Sequence, residues 1–461
     1  EQTVSYGNPT LRFTHRTAQI TVVLTNYTEG MASVKLTGLS TENGNPAQII
    51  PYDKGNDTYT ALVAPQSVAT GTAFITCAFT NGKVFVYKMK EATDWQAGEE
   101  YTYTVSLAAA YPGYTDDGNG NYTVTSAEGL KNIAELVNGG KTDINITLDK
   151  NIDLTGKEWT PIGTSSSSYT GTFDGGGHTI TGLTVTGSDQ WAGLFGYIDK
   201  DGTVKNVVLE NVQITSDNQY AYVGGVAGYS EGNIENCSVS GSVSGNSNSD
   251  GTSNCVGGVV GQQYGGTITE CSSSAIVDGR NEVGGVAGKT NSATLTACYA
   301  TGDVTAERTP TNNTYAGGVV GSNFSSTLIA CYATGSVTGT GTGTGSIYVG
   351  GVTGDNFAST LTACYHAKGT VSGPDGATGG VTGRNFKDSM LDGGIITACY
   401  WNGTVTDGNG IGYDMTYAGE TTKVTDGNWT EAMKVMNEKL SGTGWLYVPG
   451  PDGLPVLEKK Q

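Results

Sequence analysis

Six cysteines recur at one place in a repeat: Cys237, Cys271, Cys298, Cys331, Cys364 and Cys399. Thiols so arranged could pair as disulfides or hold a metal ion. In the last four copies the next residue is Tyr299, Tyr332, Tyr365 or Tyr400; the first two have Ser238 and Ser272. A row of aromatic rings could stack on sugar faces. Against thiol chemistry, C-x-x-C metal spacing occurs nowhere. In "VKNVVLENV", Val207 stands where "IENCSVSG" has Cys237. Valine fills the place as well as cysteine does, so the expectation is a ladder of reduced, buried thiols acting as small hydrophobes. Cys77 and Cys255 fall outside that ladder.

Other reactive residues are scattered. His15, His178 and His366 make no triad, and His178 reads as a hydrogen-bonding part of the "FDGGGHTI" turn. Asp278, Asp303 and Asp375 fall in turns between copies, and no stacked acid pair with Arg or Lys beside it stands out, as cleavage of a glycosidic bond would need. Asp117, Asn119, Asn121 and Glu128 imitate a calcium-loop spacing, but Tyr122 holds the place that needs glycine. No catalytic residue, metal or cofactor is expected.

The element that positions the cysteines and tyrosines is the repeat itself. Gly224-Gly225-Val226, Gly257-Gly258-Val259, Gly284-Gly285-Val286, Gly317-Gly318-Val319, Gly350-Gly351-Val352 and Gly379-Gly380-Val381 lie mostly 27–33 residues apart, after an earlier version at Ala192–Gly196. Each copy holds three β-prone stretches, such as "YVGGVTG", "TLTACY" and "AKGTVSG", separated by Gly, Asn, Ser and Asp turns. Stacked copies of this kind make a parallel β-helix, expected to be right-handed, of about nine coils and roughly 40 Å. Strand alternation points the cysteines inward and sends Tyr299, Tyr332, Tyr365 and Tyr400 outward as an external stripe.

Composition agrees. Seventy-one glycines and only 15% charged residues suit an all-β chain with many turns. A formal charge of −19 works against nucleic acid and anionic membrane surfaces as partners. No apolar run is long enough to span a membrane. The chain opens on Glu1 without Met, which reads as a trimmed chain whose export signal has been removed. The rod's ends need closing. Residues 125–138 read as an amphipathic helix with Thr125 and Glu128 as a capping box, and residues 428–440, followed by "WLYVPGPDGLPVL", read as the cap at the other end.

"WTPIG", "YTGTFDGGGHTITGLTV" and "WAGLFG", at 159–196, followed by the repeated G-G-V-x-G, resemble GLUG-motif proteins of bacterial cell surfaces across 122–461. The resemblance implies a surface β-helix associated with adhesion. Residues 1–108 lack the repeat and carry alternating stretches, which read as an antiparallel β-sandwich; 109–121 reads as the linker. "RFTHRTAQITVVL", "ALVAPQSV" and "WQAGEEYTYTVSL" resemble fimbrillin-like surface proteins of Gram-negative gut anaerobes. Those proteins carry two β lobes where this chain has one before the rod, so a single anchored monomer is expected rather than a strand-exchanged shaft.

The expectation is therefore an all-β, non-catalytic protein on the extracellular face of a Gram-negative outer membrane, attached through a segment missing from this chain. It would bind host or bacterial surface glycan or protein, with Tyr299, Tyr332, Tyr365 and Tyr400 as the ligand stripe. The competing class is a β-helix polysaccharide lyase or glycoside hydrolase.

Overall fold

A triplet of the form Thr-Ile-Thr or Thr-Leu-Thr recurs in the repeat, and its middle residue lines the interior. In the computed structural model, Tyr122, Ile146, Phe173, Val204, Ile234, Ile268, Leu295, Leu328, Leu361 and Ile396 sit in register on ten successive parallel strands. The flanking threonines face away from the core with the period of two that a strand imposes. The structure describes residues 15–26, 30–80, 84–107, 113–245, 254–308, 311–341, 344–374, 377–387, 394–416 and 419–460. The chain divides into two units, 1–113 and 114–461.

The second unit is the expected parallel solenoid, but a full coil holds five strands rather than three. The coil that begins at Ile347 runs Ile347–Gly350, Thr353–Phe357, Thr360–Thr362, Tyr365–His366 and Thr370–Ser372. "YVGGVTG" is broken at its glycine pair, where the backbone folds tightly on itself. A Cβ on Gly350 would lie 1.9 Å from the Thr353 carbonyl oxygen, so no larger residue fits. "TLTACY" is broken at Ala363, whose φ of 55° turns the corner in the left-handed region. One continuous core of Val, Ile, Leu, Ala and Cys runs through the coils.

Helix α1, Ala127–Asn138, buries Leu130, Ile133, Ala134 and Val137 against the first coils. Its N-cap is Ser126 rather than Thr125: the serine side chain accepts from the Gly129 N–H at 3.1 Å, and Glu128 is not part of a box. Part of the expected linker is also strand, because Tyr114–Asp116 pairs antiparallel with Asn121–Val124. The turn between them is shaped by Asp117, whose carboxylate accepts from the N–H groups of Asn119 and Asn121 and from Asn121 Nδ2. The calcium-like spacing of polar residues serves that turn.

The first unit packs a four-stranded sheet, a three-stranded sheet and a two-stranded ribbon around a core that includes Ile20, Val22, Leu36, Phe74, Ile75, Cys77, Trp95 and Leu107. Among the described residues its strand pairings are antiparallel with one exception. Ala18–Thr25 lies parallel to Glu100–Ser106, the first and last described strands of the unit meeting side by side.

Candidate functional site

The corner that carries the cysteines is built the same way on every coil. The residue before the ladder position takes a left-handed conformation: Asn206, Asn236, Glu270, Ala297, Ala330, Ala363 and Ala398 all have φ between 49° and 57°. For alanine that costs roughly 1–2 kcal/mol, so packing must hold it there. Behind the corner the six cysteines are buried and unpaired, with Val207 at the head of the row. Each thiol lies against the carbonyl two residues back, as Cys237 does at 3.2 Å from Glu235 O and Cys364 at 3.4 Å from Thr362 O. Burial pushes the thiols of Cys271, Cys331 and Cys399 well above the ordinary cysteine range. Cys77, in the other unit, is pushed up to about 12 by burial. Titration with a thiol reagent is expected to find almost no reactive cysteine in the native chain and all eight after denaturation; fewer than about four new thiols would mean that disulfides stand where free core cysteines are described.

The tyrosines do point outward and do stack. The rings of Tyr299 and Tyr332 lie 4.9 Å apart at 3°, and those of Tyr332 and Tyr365 lie 4.8 Å apart at 4°. They are not an exposed stripe, however. The segment expected to close the far end lies along the flank of the coils, over the tyrosines. Helix α2, Thr430–Lys439, and the hairpin of Trp445–Pro449 with Pro455–Lys459 bring Trp429, Met433, Met436, Leu440, Tyr447 and Leu454 onto Tyr332, Tyr365, Tyr400, Ala330 and Ala363. Tyr365 is fully buried and donates its hydroxyl to Pro455 O, and Tyr447 donates to Ala363 O at 2.9 Å. Lys459 reaches Glu270 at 2.7 Å and Lys368 pairs with Asp452. The physical reason is plain: three large rings beside small alanines form an apolar strip, and the apolar face of α2 covers it. A ligand has no access to Tyr332, Tyr365 or Tyr400 beneath this strap.

The apolar part of the strap stops at Tyr299, which is only half-buried, and only Lys459 reaches one coil further, to Glu270. Beyond it the same outer surface carries Ser272 and Ser238 where the tyrosines stood. There the surface forms a cleft of about 380 Å³, lined by Glu210, Ser238, Ser272, Ser274, Tyr299 and Thr301 among others.

A second outward band joins residues that the sequence reading did not connect. In the octet x-V-G-G-V-x-G-x the glycine bend makes the first and eighth residues face each other. Glu282 and Lys289 pair across it at 3.1 Å, and the rings of Tyr222 and Tyr229 meet edge to face at 5.7 Å. One coil's eighth residue also sits beside the next coil's, so Asp355 pairs with Arg384 through two bonds of 2.8 and 2.7 Å. The Arg384 guanidinium lies 5.1 Å from the centre of the Tyr315 ring and 5.0 Å from that of Tyr348. Single carboxylates with Lys or Arg beside them therefore occur, but neither has a second acid beside it in its column. Burial raises the Asp355 carboxyl above its ordinary range, with Arg384 pulling the other way. Burial works against the Arg384 charge and the Asp355 carboxylate outweighs it. Lys289 is held above its usual value chiefly by Glu282. Each charge is engaged by its partner, which is the arrangement of a structural ion pair. Comparing the first and eighth residues of successive octets would have revealed the band.

The remaining candidates stay apart. His15 is exposed in the first unit and His366 is buried in the solenoid core. At the "FDGGGHTI" turn, Asp174 accepts from Gly176 N–H and from Asn206 Nδ2, and the backbone N–H of His178 donates to Gly175 O. The turn is thus held by Asp174 and backbone rather than by the imidazole. Asp278 lies within the strand Ile276–Arg280 instead of a turn, Asp303 accepts from Ser336 N–H, and Asp375 lies outside the described residues. No group of three or more His, Cys, Asp or Glu able to hold a metal ion occurs among the described residues.

Residues 1–126 match the fimbrillin-like family, and residues 219–244 and 252–278 match the GLUG motif. The chain is 30% identical over 265 residues to halomucin of Haloquadratum walsbyi, a match covering 54% of this chain and 3% of that protein. It is 34% identical over 125 residues to a protein of Evansella cellulosilytica named as a Gly-rich membrane protein, covering 26% of this chain and 14% of that one. The chain thus spans only a small part of these relatives. A candidate immunoglobulin A1 protease from Bacteroides ovatus is similar in structure with a TM-score of 0.45 and 18% identity, over 75% of this chain and 94% of that one. At that TM-score the likeness carries no argument about this chain.

Proposed function

We propose that this chain is part of a non-catalytic cell-surface protein that binds glycan or protein through the flank of its solenoid, as a monomer held at the outer face of a Gram-negative outer membrane. The fimbrillin-like and GLUG matches support a surface setting, as do the names of the mucin-like and membrane relatives. The observation that carries the reading is the division of labour on the outer surface. Its buried charges, Glu282 with Lys289 and Asp355 with Arg384, are engaged in pairs, whereas the open cleft beside the strap is lined mainly by hydroxyls. Engaged charges do not make an acid and a base, and hydroxyls suit weak, repeated contacts without the desolvation cost of a charge. The full chain incubated with neutral and acidic polysaccharides and with peptide substrates is expected to release nothing above a buffer control. Reproducible appearance of oligosaccharides, unsaturated sugar products or peptide fragments would replace this reading with the enzymatic one.

A further inference from the structure

We infer that Tyr299 and the cleft beyond it form a binding site for one pyranose ring of an uncharged glycan; this rests on the ligand-binding reading above and gives it a place and a ligand class. Tyr299 is the last ring of the tyrosine stack, covered on one side by Tyr332. On its other side the register places Ser272, then Ser238 one coil further. The second face of Tyr299 therefore looks along the rod into the cleft, with no ring upon it among the described residues. A sugar ring lying there would continue the stack, presenting its C–H face to the aromatic face as the next tyrosine would have done.

The rest of the cleft suits the edges of such a ring. The side-chain hydroxyls of Ser238, Ser272, Ser274, Thr301 and Tyr299 form no hydrogen bond with other described residues, so they can donate to or accept from sugar hydroxyls without breaking a protein contact. Glu210, exposed at the rim, adds an acceptor. Among the described residues, no Lys, Arg or His lines the cleft. The Glu210 carboxylate and the chain's net charge of −19 both oppose a uronic, sialic or sulfated sugar. A volume of about 380 Å³ lies near the small end of the usual range for ligand sites. A peptide fits less well, because the apolar strip that holds the strap ends where tyrosine gives way to serine.

The test uses the full chain on an array of neutral and acidic glycans, with two variants. Ser272→Tyr adds one more ring of a kind the next four coils already accept; it would cover the free face of Tyr299 and fill the cleft while keeping the fold. Tyr299→Ser removes the platform and copies the residue of the two coils before it. The parent is expected to bind neutral glycans, and both variants are expected to bind about tenfold more weakly or worse, with Ser272→Tyr melting no lower than the parent. Should Tyr299→Ser fail to fold, Ser272→Tyr alone decides. Undiminished binding by a folded Ser272→Tyr would overturn this site and leave the ligand-binding reading standing, and preference for acidic glycans would overturn the ligand class. Absence of any glycan binding by the parent would overturn the site as well, and absence of binding to intact host or bacterial cells in the same experiment would then remove the ligand-binding reading with it.

Discussion

Replacing Arg384 with methionine is expected to destabilise the solenoid by about 3–5 kcal/mol at neutral pH, the loss typical when one partner of a buried ion pair is removed. Asp355 is only 3% exposed, and its two oxygens are satisfied by the guanidinium at 2.8 and 2.7 Å. Without Arg384 that carboxylate keeps its desolvation and loses its compensation, and the faces of Tyr315 and Tyr348 lose the cation that lies over them. Burial already raises the Asp355 carboxyl, and removing the cation raises it further. A folded pKa above the unfolded value favours the native state while the acid stays protonated, so the variant should be least impaired near pH 4 and lose stability as pH climbs. Adding Asp355→Asn should recover most of the loss, because a neutral amide costs less to bury than an unpaired charge. Urea unfolding across pH, with hydrogen exchange on peptides covering residues 347–387, measures both effects. A pH-independent loss below about 1 kcal/mol would show the pair to be an ordinary surface bridge.

The solenoid was legible in the sequence because its rules are local and repeated. A glycine pair, a Thr-flanked aliphatic and an inward cysteine recur on each coil, and Val207 gave away the cysteine's role. The five-strand coil was less legible, since the corner residue of the "TLTACY" type is often alanine, which does not announce a left-handed turn; only its φ of 55° does. The strap was missed for another reason. Helical spacing shows that Met433, Met436 and Leu440 need an apolar partner, but not which one. Two signals pointed to it. From Cys298 onward the residue before each ladder cysteine changes from Asn or Glu to Ala and the residue after it from Ser to Tyr, and the coils so marked are those the strap covers. The charge band escaped because its partners are separated by seven residues across a bend or by a whole coil. No periodicity of a single strand brings such residues together.

His366 should make the solenoid sensitive to mild acid. It follows Tyr365, so strand alternation turns it into the core, in line with Ala300 and Ala333 before it and Trp401 after it. Two glycines make room: a Cβ on Gly351 would meet the His366 Cβ at 2.6 Å, and one on Gly403 would meet Cε1 at 3.0 Å. Nε2 lies 3.0 Å from Gly335 O and so carries the proton of the neutral ring, while buried Nδ1 has no partner among the described residues. A second proton would sit on Nδ1 with no acceptor, in a core of Ala, Val and Trp. Burial accordingly lowers the imidazole to about 4, the bond to Gly335 opposing it only in part. In the unfolded chain the ring titrates near 6.5. Between those values the unfolded state takes up a proton that the native state refuses, so stability falls as pH drops from about 6.5 to about 4, by about 3 kcal/mol in all. Below that window both states are protonated and the loss levels off. His366→Gln keeps a donor for Gly335 and cannot charge. Its own stability should be nearly constant through the window apart from the carboxylates it shares with the parent, so the difference between the two unfolding free energies, measured from pH 7.5 to 4, isolates the histidine. A difference that does not change with pH would mean that the imidazole is free to charge in the native state, which its position between Gly351 and Gly403 does not allow.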